Sequence, residues 1–330
     1  MRCAVLGGGS FGTAMAAHLA RRGHEVVLWD RHAERCATMN ATRRNPTYLR
    51  DVELPEGLRA EADLHAAVTG AELLVPCVPS HAMREVARRA APAVHEGAAV
   101  CCASKGIEDG TLDTMATVLE EELGPLRPIT VISGPSFARE LALGLPTTLV
   151  VAGDEAPRRA VADAFHGSRL RVYDSHDVVG VCVGASLKNV MAIACGISDG
   201  LGLGHNARAA IITRGLAEIT RLAVEAGAEA ITLMGLAGLG DLVLTCTGDQ
   251  SRNRRVGLGL GRGQRLDEVL AEIGEVAEGV VTARSARALG RKLGVEMPIT
   301  EQVFAVLHEG KDAAAALRDL LGRERKHEQA

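Results

Sequence analysis

The alternation of apolar and polar positions changes rhythm once along this chain. Through the first half, short apolar and β-branched runs alternate with helical stretches. Cys3 to Leu6 reads as a buried strand, Thr13 to Arg22 as a helix stopped by Gly23, and Glu25 to Trp29 as a second strand. Further strands are predicted at Glu72 to Val78, Ala98 to Ala103, Ile129 to Ser133, Thr147 to Ala152 and Leu170 to Tyr173. Strands separated by helices predict an α/β architecture built on a doubly wound, mostly parallel sheet. Past Asp177 the rhythm becomes helical. Val179 to Ile197 is a long apolar run broken by Lys188-Asn189, and reads as a buried helix. Ala207 to Ala226, Leu266 to Ile273, Val281 to Leu293 and Ile299 to Leu307 follow as helices punctuated by Gly274, Gly294 and Pro298. The predicted domains are therefore an α/β unit over 1–177 and a mostly α-helical unit over 178–330. The polar tail Arg323 to Ala330 is expected to fray.

Composition narrows the function classes. A chain of 330 residues can bury two cores of ordinary size, and 47% hydrophobic with 24% charged residues is a globular balance. A net charge of −4 and 2% aromatic residues argue against nucleic acid as a partner. The 8 cysteines show no C-x-x-C pair and no spacing suited to zinc, so no metal is expected and reduced thiols in the cytoplasm are. The N-terminus carries no basic region followed by a long apolar one, and no uninterrupted run reaches the roughly 18 apolar residues of a membrane span, so no membrane insertion is expected.

The first candidate chemistry lies in Gly7-Gly-Gly-Ser-Phe-Gly12. Gly7, Gly9 and Gly12 fit G-x-G-x-x-G, with a strand before, a helix after and Asp30 at the end of the second strand. That context predicts a Rossmann-like dinucleotide site: a tight turn at Gly7, close approach to a diphosphate at Gly9, and helix–sheet contact at Gly12. Asp30 would accept from a ribose diol and favour NAD, while Arg31 would pair with the 2′-phosphate of NADP, with His32 a further phosphate partner. Both NADPH and NADH stay open. At the predicted strand ends, Lys105 and the Gly134-Pro-Ser136 turn are candidates for substrate contact; Pro79-Ser80-His81 reads equally as a turn with a helix cap.

Lysine occurs only at Lys105, Lys188, Lys292, Lys311 and Lys326, arginine filling the other basic positions. Where Arg is the habit, a Lys in an apolar run points to a job that needs a proton to come off. Lowering a lysine from ~10.4 to ~7.5 corresponds to roughly 4 kcal/mol of destabilised ammonium, which places a general acid or base near neutrality. The alternative for Lys188 is a snorkelling or ion-paired side chain. The run from Asp241 to Arg255 crosses an apolar, β-favouring segment after Gly238-Leu-Gly240 and then opens into Ser251, Arg252, Asn253, Arg254 and Arg255. Arg, Ser and Asn together suit a phosphate ester; a solvated basic turn is the plainer reading. Asp241 reads either as a carboxylate orienting the Lys188 amine or a substrate hydroxyl, or as a turn residue.

These segments together resemble the bacterial NAD(P)-dependent glycerol-3-phosphate dehydrogenase family, from the first strand to about Lys326. The likeness rests on Gly7-Gly-Gly-Ser-Phe-Gly-Thr-Ala, Ile132-Ser-Gly-Pro-Ser-Phe-Ala138, Leu187-Lys-Asn-Val, Gly200-Leu-Gly-Leu-Gly-His-Asn-Ala-Arg, Gly238-Leu-Gly-Asp-Leu-Val-Leu-Thr-Cys-Thr and Ser251-Arg-Asn-Arg. It implies a homodimer that reduces dihydroxyacetone phosphate to sn-glycerol 3-phosphate for phospholipid synthesis. By the same likeness Lys188 is the proton-transfer residue, and Asn189, a further candidate substrate contact, would hold the amine and the substrate hydroxyl together with Asp241. Lys105, Gly134, Ser136, Asp241, Ser251, Arg252 and Asn253 would contact substrate. Ser10, Phe11, Arg31, Tyr48, Lys105, Ala138, Arg252, Val276 and Glu278 would contact cofactor, and Arg254 and Arg255 would return to solvent. Phe11 stands where the family often has Trp or Tyr, and Ser136 where Thr is also common. Two rivals follow from the residues alone: a hydroxyacid dehydrogenase of the same plan, and an NAD(P)-sensing protein without catalysis.

Overall fold

The computed structural model describes residues 1–323; the expected fraying of the tail falls outside them apart from Arg323. Eight strands form one sheet: β1 (Arg2–Leu6), β2 (Glu25–Trp29), β3 (Leu58–Glu61), β4 (Leu73–Pro76), β5 (Ala99–Cys102), β6 (Ile129–Ser133), β7 (Thr147–Ala152) and β8 (Leu170–Ser175). Their order is β3-β2-β1-β4-β5-β6-β7-β8. All neighbours are parallel except β6 and β7. β7 and β8, parallel to each other, therefore run opposite to the six strands before them, and the link into β7 holds one short helix, Ala138–Ala142. The sequence reading overlooked β3, a short strand whose Arg59 and Glu61 give it no apolar signature.

Two apolar clusters sandwich the sheet, and a third fills the helical region. α1 (Ser10–Arg21) follows β1 through the glycine turn. Gly7 has φ +121°, and a Cβ on Gly12 would sit 1.9 Å from the Gly7 carbonyl oxygen, so both positions need glycine. Because β1, β4, β5 and β6 run parallel, the segments after them open at one edge, on either side of the point between β1 and β4 where strand order reverses.

The long helix Val178–Gly200, called α2 here, is the axis of the second half. Asp177 caps it by accepting from the Gly180 amide at 2.7 Å. By length and hydropathy alone it could cross a membrane, as could Ala230–Thr247, but 83% of its apolar stretch is buried inside the fold. Its Val181 joins the cluster on one face of the sheet, which ties the helical region to the α/β region. Around it pack α3 (Gly204–Glu225), α4 (Asp241–Thr247), α5 (Arg252–Gly261), α6 (Glu278–Leu293) and α7 (Pro298–His308). The segment expected to favour β structure after Gly240 is the helix α4. Its Leu242, Thr245 and Cys246 are buried at helical spacing, and packing on α2 overrides the β propensity of Val243 and Thr245.

α2 and α5 touch backbone to backbone. A Cβ on Gly257 would lie 2.0 Å from the Ile193 carbonyl oxygen, and one on Gly196 2.1 Å from that of Arg254. This approach seats the start of α5 beside Lys188 and Asn189. Gly257→Ala should therefore destabilise the protein by about 1–3 kcal/mol, because the overpacked methyl has only backbone to push against. Chemical denaturation measures this, and an unchanged unfolding midpoint would contradict the close approach.

Candidate active site

A cleft of about 760 Å³ opens between the glycine turn and the helical region. At its floor the carboxylate of Asp241 joins two amines. Lys188 Nζ lies 2.6 Å from Asp241 Oδ1, and Lys105 Nζ donates to Oδ2 at 3.0 Å. Lys188 also donates to Thr245 Oγ1 at 3.0 Å, whose hydroxyl in turn donates to the Asp241 carbonyl at 2.6 Å. The three charged groups come from distant places: the end of β5, the middle of α2 and the start of α4. A π-helical turn, Leu236–Gly240, runs straight into Asp241 and aims its side chain at α2. Lys105 lies 5.4 Å from the centre of the Phe11 ring, within cation–π range.

Burial is the largest influence on Lys188 and brings its pKa down to about 7; the Asp241 anion opposes that fall and Lys105 adds to it. For Asp241, burial pushes upward, but the two ammonium groups together hold the carboxyl below its ordinary value. The result is a carboxylate that stays ionised next to an amine that can exchange a proton near neutral pH.

The second feature is the start of α5. Ser251 caps it, its Oγ accepting from the Arg254 amide at 3.2 Å. Asn253 donates to Asn189 Oδ1 at 2.9 Å and accepts from the Gly279 amide at 2.9 Å, which fixes its amide between α2 and α6. Free amides at a helix start, with Arg252 beside them, form an anion site. Arg254 is turned away into ion pairs with Asp199 and Asp249. Arg255, expected to face solvent alone, also borders the cleft.

At the far end, Asp30 does not offer a free carboxylate. It is 4% exposed; Oδ1 accepts from the His32 amide and ring at 2.9 Å, and Oδ2 from Arg35 at 2.8 Å. Asp30 is folded back under Gly8, whose added Cβ would meet Asp30 Oδ2 at 2.2 Å. Asp30 still borders the cleft, so its role toward a ribose diol and that of Arg31 toward a 2′-phosphate both stay proposals. Arg31 is exposed on the cleft, and Arg35 lies 5.2 Å over the Tyr48 ring.

The sequence of this chain matches the family models for the N-terminus of NAD-dependent glycerol-3-phosphate dehydrogenase over residues 2–158 and for its C-terminus over 177–318. It is 53% identical over 326 residues to the glycerol-3-phosphate dehydrogenase, NAD(P)+, of Thioalkalivibrio sulfidiphilus, covering 98% of each chain. The chain belongs to the NAD(P)-dependent glycerol-3-phosphate dehydrogenase family. The enzyme of the same name from Anaeromyxobacter dehalogenans is 53% identical over 331 residues, covering 99% of this chain and 100% of its own. The crystal structure of glycerol-3-phosphate dehydrogenase from Coxiella burnetii superposes with a TM-score of 0.94 at 44% identity, covering 98% of this chain and 99% of that one.

Within this dehydrogenase fold, most expected site residues border the one cleft: Gly7, Gly9, Ser10, Phe11, Arg31, His32, Tyr48, Lys105, Ser136, Ala138, Lys188, Asn189, Asp241, Ser251, Arg252, Asn253, Val276 and Glu278. Gly12 and Gly134 lie behind its wall. Gly134 has φ +136°, backs against Leu149, and accepts from Ser136 Oγ at 2.9 Å. Its contribution is the turn that presents Ser136. The turn at Ser80 is more than a helix start, since the buried Ser80 Oγ donates to Glu278 Oε2 at 2.8 Å and ties the turn to the start of α6. Thr245 and Glu275 were missed. Thr245 was legible as one helical turn beyond Asp241 once that segment is read as a helix; Glu275 left no signal in the sequence.

Removing the Asp241 charge removes the influence that holds the Lys188 ammonium together. Asp241→Asn should lower the Lys188 pKa below its value of about 7. Ketone reduction that needs the ammonium should then fade at a lower pH than in the parent enzyme, as read from kcat/KM against pH. A fade displaced to higher pH would reverse the sign of the proposed coupling.

Proposed function

We propose that the protein reduces dihydroxyacetone phosphate to sn-glycerol 3-phosphate with NADPH or NADH, in the reversible reaction that supplies glycerol phosphate to phospholipid synthesis. The observation that carries this reading is one cleft in which a buried, proton-exchanging amine at Lys188 stands next to the anion site at the start of α5. The glycine turn at Gly7–Gly12 fits a dinucleotide: a tight turn that only glycine permits, an uncapped start of α1 and Ser10 all face the cleft. A bound nicotinamide supplies the hydride.

The chain's own residues do the rest. Arg252, Asn253, Ser251 and the first amides of α5 hold the phosphate. Binding energy from that non-reacting group orients the ketone, so it raises turnover as well as affinity. Lys188 in its ammonium form points a proton at the ketone oxygen and gives it to the forming alkoxide; in the reverse direction its neutral amine takes the proton back. Asp241 orients Lys188 and keeps its pKa from falling further, Lys105 completes the charge around the substrate, and Asn189 holds Asn253 in place. For a hydroxyacid the anion site would have to take a carboxylate, and the paired donors of Arg252 and Asn253 suit a phosphate better. At the far end, Arg31 and His32 flank the position of an adenosine 2′-phosphate, and the engagement of Asp30 supports NADPH use. A homodimer in the cytoplasm, without membrane insertion, belongs to the same proposal. It is supported by the family likeness and by the burial of the apolar helix α2.

The decisive assay follows NADPH and NADH oxidation with dihydroxyacetone phosphate. Lys188→Ala should lose at least ~10²-fold in kcat, the usual worth of a general acid, while cofactor binding stays near that of the parent enzyme. Turnover retained in that variant would remove Lys188 from the chemistry, and no oxidation by the parent protein would favour a sensing role.

A further inference from the structure

Glu275 precedes Val276 in the segment that leads into α6 and belongs to neither of the site groups assigned above. Its Oε2 accepts from Ser10 Oγ at 3.1 Å and from Arg252 Nη1 at 3.2 Å. Ser10 opens α1 directly after the glycine turn, and Arg252 opens α5 at the substrate's anion site. One carboxylate thus spans the cleft from the α/β region to the helical region. It does so at the start of a helix that no side chain caps, where free amides and the helix dipole favour negative charge.

That is also where the glycine turn directs a dinucleotide's diphosphate. A carboxylate and a diphosphate carry the same sign, seek the same donors, and cannot both take Ser10 and Arg252. We propose that Glu275 is an internal competitor of the cofactor diphosphate: it holds Ser10 and Arg252 when the diphosphate does not, and it sets cofactor affinity by the charge it must surrender. Both partners are partly open to water, Arg252 at 39% and Glu275 at 31% exposure, so the carboxylate can swing into solvent without stranding a buried charge. Arg252 is then passed from a protein acid to the ligands, which orders the anion site only as the cofactor arrives. The inference rests on the resemblance's reading of Ser10 and Arg252 as cofactor contacts, taken here to meet the diphosphate.

The test measures NADPH binding by calorimetry or by quenching of the single tryptophan, using the full-length parent, Glu275→Gln, Arg252→Ala and Glu272→Gln. Glu272 is exposed three residues upstream and bonds to Gln264, so its variant removes the same charge without the bridge. Glu275→Gln should bind NADPH about threefold or more tighter, with the gain shrinking as salt is raised, because the repulsion it removes is a screened one. Glu272→Gln should bind as the parent does, and Arg252→Ala should bind more weakly. Weaker or unchanged binding in Glu275→Gln, with Arg252→Ala weakened, would overturn the competitor and make Glu275 an ordinary ligand contact or a bystander. Equal tightening in Glu272→Gln would reduce the effect to net charge. Unchanged binding in Arg252→Ala would overturn the diphosphate assignment and this inference with it.

Discussion

One buried carboxylate shared between two lysines is the constraint around which the floor of the cleft is organised. Asp241 is 1% exposed, and it could not be ionised there without Lys105 and Lys188. Asp241 in turn favours the ammonium form of Lys188, against the burial that disfavours it. The three groups come from β5, α2 and α4, so the ion cluster forms only when the sheet edge and the helical region are both in place. The cluster also sets reactivity. Two ammonium groups against one carboxylate leave a surplus of positive charge, and burial turns that surplus into a Lys188 that releases its proton near pH 7 rather than far above it.

The geometry of that cluster depends in turn on how closely α2 and α5 approach. Glycines at Gly196, Gly200, Gly257 and Gly261 remove the side chains that would hold the helices apart. The start of α5 therefore lies on the turn of α2 that carries Lys188 and Asn189, and the hydrogen bond from Asn253 to Asn189 joins the proposed phosphate site to the proposed proton-transfer site. A proton donor and an anion site are thereby held at a fixed separation, which suits a substrate whose ketone and phosphate are a short, fixed distance apart.

Much of this was legible in the sequence, for identifiable reasons. The βαβ turn and the helix carrying Lys188 are local patterns, and Lys188 stood out because a chain that otherwise uses arginine placed lysine in an apolar run. Other features were not local. The helix α4 carries a β-favouring composition that only packing on α2 overrules. The reversal of β7 and β8 relative to the other strands carries no local signature either. Asp30 reads as a ribose acceptor in the sequence, which gives no hint that its oxygens accept from His32 and Arg35, two and five residues downstream. Glu275 meets Ser10 across 265 positions of sequence, and no spacing rule reaches that far.

The central claim is that Lys188 is the group that gives and takes the proton. The most direct measurement is the pH dependence of kcat/KM in both directions on the same preparation. Reduction of dihydroxyacetone phosphate should fall as pH rises through about 7, and oxidation of glycerol 3-phosphate should rise through the same value, as mirror images. The substrate phosphates, whose second ionisation lies near 6, would move both directions the same way, so the mirror symmetry isolates the amine. Profiles that move together, or that show no break near neutrality, would contradict the account.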